Sequence, residues 1–123
     1  MTAEELLVHA DAVAANAYAP YSNYLVGAAV LTRDGRVFTG ANVENAAYPL
    51  GICAERAAIG KAASEGLKPG DVEAIAITAS PCGGCRQWLH EWRFDRVWFR
   101  RADGSVAEYA ADDLLPDTWD LPS

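Results

Sequence analysis

The 123-residue sequence predicts an α/β fold, a three-layer sandwich in which helices cover both faces of a central five-stranded mixed sheet, with the last two strands antiparallel. Three observations carry this reading. Apolar segments of strand length alternate with segments of helical period. Two Asp-Gly turns, Asp34-Gly35 and Asp103-Gly104, each join a pair of strand-like segments as a hairpin. No repeat, linker or low-complexity stretch divides the chain, so residues 1–123 are expected to form one domain. A chain of this length buries about two-thirds of the surface its unfolded form exposes, enough for a core without disulfide staples.

Thr2 followed by Glu5 is a capping box, and Leu6, Ala10, Val13, Ala14 and Ala17 recur at helical spacing, which predicts a first helix over residues 3–16. Tyr18 to Asn23 reads as a loop. Leu25 to Thr32 is an apolar run that turns at Asp34-Gly35 into a second strand, Arg36 to Gly40. Pro49 and Gly51 interrupt the chain before an alanine-rich helix from Cys53 to Glu65, stopped by Gly66. Val72 to Thr78 is continuously apolar, the pattern of a strand buried on both faces, and it leads through Pro81 into a third helix from Cys82 to Trp92. Val97 to Phe99 and Val106 to Tyr109 complete the sheet. Asp112 to Pro116 predicts one helical turn ended by proline, followed by an acidic tail that contains Trp119.

A formal charge of -7 and a pI near 4.6 argue against a phosphate-gripping surface, so no nucleic-acid partner is expected and a small or neutral one is. No apolar run approaches the ~18 residues of a membrane span, and the N-terminus has no positive export segment. Three cysteines without an export signal point to metal or thiol chemistry in a reducing compartment, which predicts a cytoplasmic protein.

The chemistry concentrates in Cys53-Ala54-Glu55-Arg56 and Pro81-Cys82-Gly83-Gly84-Cys85-Arg86-Gln87. Cys82 and Cys85, three apart on the first turn of a helix, share one face, and Cys53 begins another helix. At such positions the helix dipole and unpaired amides favour the thiolates that zinc requires. Zinc binds thiolates tetrahedrally, and a site with three protein ligands leaves the fourth place to water, as catalytic sites do. Glu55, in the first turn after Cys53, is placed to carry a proton from that water to a substrate nitrogen and a leaving amine. Arg56 is placed to draw charge off the sulfurs, whereas Arg86 reads as an exposed helix arginine. His90 lies five residues beyond Cys85, about 140° around the helix, and reads with His9 as a surface histidine. A thiol-disulfide protein built on Cys82-Gly83-Gly84-Cys85 leaves Cys53 and Glu55 without a role. A closed structural zinc module lacks a fourth ligand.

Taken in order, Tyr18-Ala19-Pro20-Tyr21-Ser22, Val26-Gly27-Ala28-Ala29, Gly40 to Ala46, Cys53 to Ile59, Pro81 to Gln87 and Leu114-Leu115-Pro116 resemble the cytidine deaminase family, specifically its short homotetrameric members. The resemblance implies one Zn²⁺ per subunit on Cys53, Cys82 and Cys85, with Glu55 as proton shuttle. It implies that Asn42 and Glu44 hydrogen-bond the ribose, that the Ala54 amide contacts the base, and that Tyr48 reaches a neighbouring subunit's site. Tyr24 and Trp119 stand where the family usually has phenylalanine, and either aromatic face can still wall in a pyrimidine. The implied activity is hydrolytic deamination of free cytidine and 2'-deoxycytidine in pyrimidine salvage, by a homotetramer whose sites are completed across subunit boundaries. The alternative within the family is another aminopyrimidine nucleoside, such as a blasticidin-type antibiotic, although Arg56 after Cys-Ala-Glu leans toward cytidine. Polynucleotide deaminases are disfavoured, because they place a helix between the last two strands where this chain has Ala102-Asp103-Gly104.

Overall fold

Helix α1 (Ala3–Ala14) starts on the capping box foreseen from the sequence: the Glu5 amide donates to Thr2 Oγ1 at 3.2 Å and the Thr2 amide to Glu5 Oε1 at 3.1 Å. The computed structural model describes residues 1–120. Strands β1 (Gly27–Thr32) and β2 (Val37–Ala41) form the first hairpin, and helix α2 spans Ala54–Ser64. Strand β3 (Val72–Ile77), helix α3 (Gly83–Trp92) and strand β4 (Arg96–Arg100) follow, then β5 (Val106–Tyr109). Two 3-10 turns, Tyr48–Leu50 and Ala111–Leu114, punctuate the connections.

The strand order is β2-β1-β3-β4-β5. Strand β1 is antiparallel to both neighbours, β3 and β4 are parallel, and β4 and β5 antiparallel, so the mixed five-stranded sheet and its antiparallel last pair are as expected. The parallel pair needs a crossover, and α3 is that crossover. Alternation along β1 divides the core into two layers. Ala28 and Val30 face α2 and α3 with Ile59, Ile75, Leu89 and Val97, whereas Ala29 and Leu31 face α1 with Leu6, Leu7, Ala10 and Trp98. Helices therefore cover both faces. Ala58 and Ala62, fully buried on α2, serve its seat on the sheet.

Most boundaries fall within one or two residues of expectation, and two of the shifts have visible reasons. Helix α1 stops at Ala14 rather than residue 16, because the Asn16 and Ala17 amides donate three residues back, to Val13 and Ala14 carbonyls, as tight turns. Strand β1 begins at Gly27 rather than Leu25, because the Val26 amide donates to Asn42 Oδ1 and the Gly27 amide to Thr78 Oγ1, side chains in place of a strand partner. Among the described residues no helix is long and apolar enough to cross a membrane.

Both helix layers sit on glycine. A Cβ on Gly27 would lie 1.9 Å from the Ala10 carbonyl oxygen, and one on Gly40 would lie 2.3 Å from the Ala58 nitrogen and 2.8 Å from the Ala57 carbonyl carbon. Backbone cannot yield as a side-chain tip can, so the helices touch the strands directly. Gly40→Ala is accordingly expected to destabilise the protein by about 1–3 kcal/mol, the usual cost of overpacking. Gly60→Ala, whose new methyl meets nothing within 4 Å, should be neutral or stabilising by up to about 1 kcal/mol. Urea midpoints measure both, and equal midpoints would show that α2 is not seated on Gly40.

Candidate active site

Helices α2 and α3 lie on the same face of the sheet, so their N-termini come together. Cys53 is the N-cap of α2 and Cys82 the N-cap of α3, both in extended backbone conformation, and Cys85 lies in the first turn of α3. The three sulfurs all fall within 4.8 Å of one another. The Cys85 amide also donates to Cys82 Sγ at 3.4 Å. The trio is graded in depth: Cys85 is buried, Cys53 half-buried and Cys82 exposed. Among the described residues no histidine, aspartate or glutamate joins this set.

Glu55 is 4 % exposed, one of few polar side chains in the core. Burial pushes its carboxyl above the ordinary carboxylate range, against weaker opposition from its own backbone amide, the Cys85 thiol and Arg56. Burial likewise raises the Cys53 and Cys85 thiols, and the negative charge of Glu55 adds to it. Cys82 goes the other way: burial opposes its ionisation, but the amide of Cys85, the Cys85 thiol and the Gly84 amide outweigh that and bring it down.

Arg56 lies beside the cluster. Its Nε is buried and has no hydrogen-bond partner among the described residues. Burial works against its charge, yet the adjacent Cys85 and Cys53 sulfurs hold its affinity for the proton above the usual arginine value. Its Nη2 lies 2.4 Å from where a Cβ on Gly84 would be, so the guanidinium lies against the first turn of α3, which Cys82 caps and which carries Cys85. A half-buried guanidinium with an unpartnered Nε beside three soft donors fits thiolates bound to a metal, whose negative charge it would face. A tetrahedral zinc with Zn–S bonds of about 2.3 Å would hold sulfurs roughly 3.8 Å apart, compatible with this grouping.

Arg86 is not the exposed arginine expected. It is part-buried, with Nε donating to the Pro81 carbonyl at 3.0 Å and Nη1 to the Leu114 carbonyl at 3.3 Å, which ties the cysteine loop to the C-terminal turn. Sequence reading missed this because Leu114 is a main-chain partner 28 residues away. His90 stands apart from the sulfurs, between Asp112 and Asp120.

Beside Cys53 opens a cleft of about 170 Å³ lined by Asn42, Val43, Glu44, Asn45, Tyr48, Gly51, Ile52 and Cys53. Asn42, Glu44 and Tyr48 thus meet one of the sulfur donors. Asn42 Oδ1 accepts from the Val26 amide at 2.8 Å and its Nδ2 donates to the Tyr24 carbonyl at 2.9 Å. Glu44 accepts from the Ser22 hydroxyl and from the Tyr21 and Ser22 amides at 3.0 and 3.1 Å, donors that lower its pKa. Both residues therefore also hold the loop before β1. Ala54 is buried at the first position of α2, where helix amides lack partners within the helix. Tyr24 and Trp119 do not line this cleft, and both are largely exposed. The walls Val43 and Ile52 went unread because they lie in no periodic segment. They pair with each other through two main-chain hydrogen bonds of 2.9 and 2.8 Å, and the signal was Ile52's place next to Cys53.

The family described as the cytidine and deoxycytidylate deaminase zinc-binding region matches residues 1–101. The chain belongs to this family of enzymes. It is 43 % identical to a cytidine deaminase of Halalkalibacterium halodurans, over 94 % of this chain and 92 % of that one. The crystal structure of cytidine deaminase from Burkholderia pseudomallei is similar with a TM-score of 0.90 and 44 % identity, over 97 % of this chain and all of that one. That from Mycobacterium tuberculosis has a TM-score of 0.84 at 38 % identity, covering 98 % and 99 % of the two chains.

The Glu44 bonds make the loop around Tyr21 depend on an ionised carboxylate. Because its folded pKa is lowered, that hold is present above the ordinary value of 4.5 and is lost as pH falls through the lowered one. At neutral pH, Glu44→Ala should speed chymotryptic cleavage in the Tyr18–Tyr24 stretch, while Asn45→Ala is cleaved at the parent rate. Equal cleavage of parent and Glu44→Ala would mean that other contacts hold the loop.

Proposed function

We propose that the chain is a zinc-dependent hydrolytic deaminase of free cytidine and 2'-deoxycytidine, converting each with water to the uridine product and ammonia. The observation that carries this is the meeting of three thiols at two helix N-termini beside a buried carboxyl, next to a cleft that Cys53 lines. Cys53, Cys82 and Cys85 would hold one Zn²⁺ per subunit, which when bound supplies a Lewis acid and a water acidified toward neutral pH.

Glu55 does the proton work. Burial strengthens its hold on a proton, which suits a group that takes one proton from the attacking water and gives it to the base nitrogen, then takes a second from the new C4 hydroxyl and gives it to the departing amine. Arg56 offsets the negative charge that three thiolates concentrate at one point. The Ala54 amide, at the start of α2, is read as a donor to the base. Asn42 and Glu44 are read as partners of the ribose hydroxyls, their spare acceptor and donor capacity facing the cleft they already line. Val43 and Ile52 supply apolar walls.

Tyr24, Leu25, Tyr48, Leu50 and Ile52 are all exposed, Tyr48 by 82 % and Leu50 by 69 %. An apolar rim of this kind around a cleft fits burial against other copies of the chain. We read the active form as a homotetramer in which Tyr24, Tyr48 and Trp119 complete sites as aromatic walls. Three free thiols suit a reducing cytoplasm and a role in pyrimidine salvage.

Cys53→Ala should lose zinc and turnover together. Glu55→Gln should keep zinc while turnover falls by about 10²- to 10⁴-fold, the usual worth of a positioned proton carrier. Zinc content and the loss of cytidine absorbance are read on one sample, and near-parent turnover in Glu55→Gln would overturn the mechanism. A blasticidin-type nucleoside assayed beside cytidine tests the substrate class. Sedimentation at falling concentration should show turnover disappearing as the tetramer dissociates, and a fully active monomer would contradict shared sites.

A further inference from the structure

Three side chains on one stretch of α3 hold the C-terminal segment. Arg86 donates to the Leu114 carbonyl, Gln87 Nε2 donates to the Trp119 carbonyl at 3.2 Å, and His90 lies between two carboxylates. Its Nδ1 is 2.8 Å from Asp112 Oδ1 and its Nε2 is 2.8 Å from Asp120 Oδ1. The two aspartates come from different places, Asp112 from the 3-10 turn and Asp120 from beyond Pro116. The imidazole is 16 % exposed, whereas the carboxylates are 78 % and 60 % exposed, so the ring is the enclosed member of the trio.

Hydrogen-bond chemistry decides the ring's state. A neutral imidazole has one N–H, so one of the two contacts would set a lone pair against a carboxylate oxygen. Only the imidazolium donates on both sides. The remaining charged groups do not reverse this: Glu91 adds negative charge and Arg93 positive, Arg86, one turn before His90, is committed to the Pro81 and Leu114 carbonyls, and Asp95 is committed to Arg33 at 2.9 Å. Trp119 is itself 68 % exposed, so little apolar burial holds it in place.

We propose that His90 is a positioning residue, a doubly protonated latch that docks the Trp119-bearing segment onto α3 and lets it go when the ring loses its second proton. The hydrogen bonds from Asp112 and then Asp120 raise the ring's hold on that proton above the ordinary 6.5. With a raised folded pKa, the docking contribution is fully present below pH 6.5 and is lost as pH rises through the raised value. The bearing on turnover rests on the reading of Trp119 as an aromatic wall; the experiment below reads the latch itself, so failure of one is told from failure of the other.

The test is NMR on the full chain, following the His90 ring and the heteronuclear NOE of the amides from Asp117 to Asp120 across pH. The ring should titrate above 6.5, and the NOE of the segment should fall in the same pH range. His90→Gln, which has one donor group and turns an acceptor toward the second carboxylate, should show the low NOE at every pH. Asp120→Asn, whose amide can donate to a neutral ring, should keep the segment ordered through the titration. A ring titrating at or below 6.5, a segment NOE unchanged across the titration, or a His90→Gln segment as ordered as the parent's would each overturn the latch.

Discussion

The site depends on two helices beginning at the same point on one face of the sheet. A helix start supplies an N-cap residue with an extended backbone, a side chain free to turn outward and amides with no partner of their own. The fold provides two such starts side by side, one entering α2 after the long connection from β2 and one opening the crossover between the parallel strands β3 and β4. Placing Cys53 and Cys82 at these caps and Cys85 one turn in gathers three sulfurs that no local motif could gather. Ionising three thiols in so small a space is unfavourable, and the helix amides and Arg56 are the features of the chain that offset it.

Much of this was readable in the residues. The pairing of Cys82 with Cys85 follows from helical spacing alone, and the hairpins follow from Asp34-Gly35 and Asp103-Gly104. Cys53 is grouped with them by the chemistry of three cysteines at helix starts, and strand order, which periodicity does not contain, is what brings it there. Buried Glu55 is a similar case: a glutamate in a helical first turn is ordinarily solvated, and only the packing of α2 shows it enclosed. The contacts that stayed unreadable are those between side chains and distant main chain or tail. Arg86 with Leu114, and His90 with residues 22 and 30 positions away, leave no periodic trace.

The surroundings of the cleft are held by polar bonds more than by apolar burial. Asn42 and Glu44 reach across to the main chain of residues 21–26, and Arg86 and Gln87 reach to the main chain of the C-terminal segment. Such loops carry little core of their own and are positioned by a rigid scaffold beneath them. The scaffold is made thin by small residues, since Ala28, Ala29, Ala74 and Ala76 occupy buried places in the central strands.

That thinness has a consequence for adapting the protein to a bulkier or differently shaped substrate. Helix α2 meets the sheet at Gly40 backbone against backbone, one turn from Cys53, so there is no cushion of side chains that could be trimmed or enlarged to slide the helix. The donor sulfur on it behaves as a fixed datum. Variation available to selection or to an engineer lies instead in the rim from Asn42 to Ile52 and in the tail, where residues can change size without displacing the reaction centre.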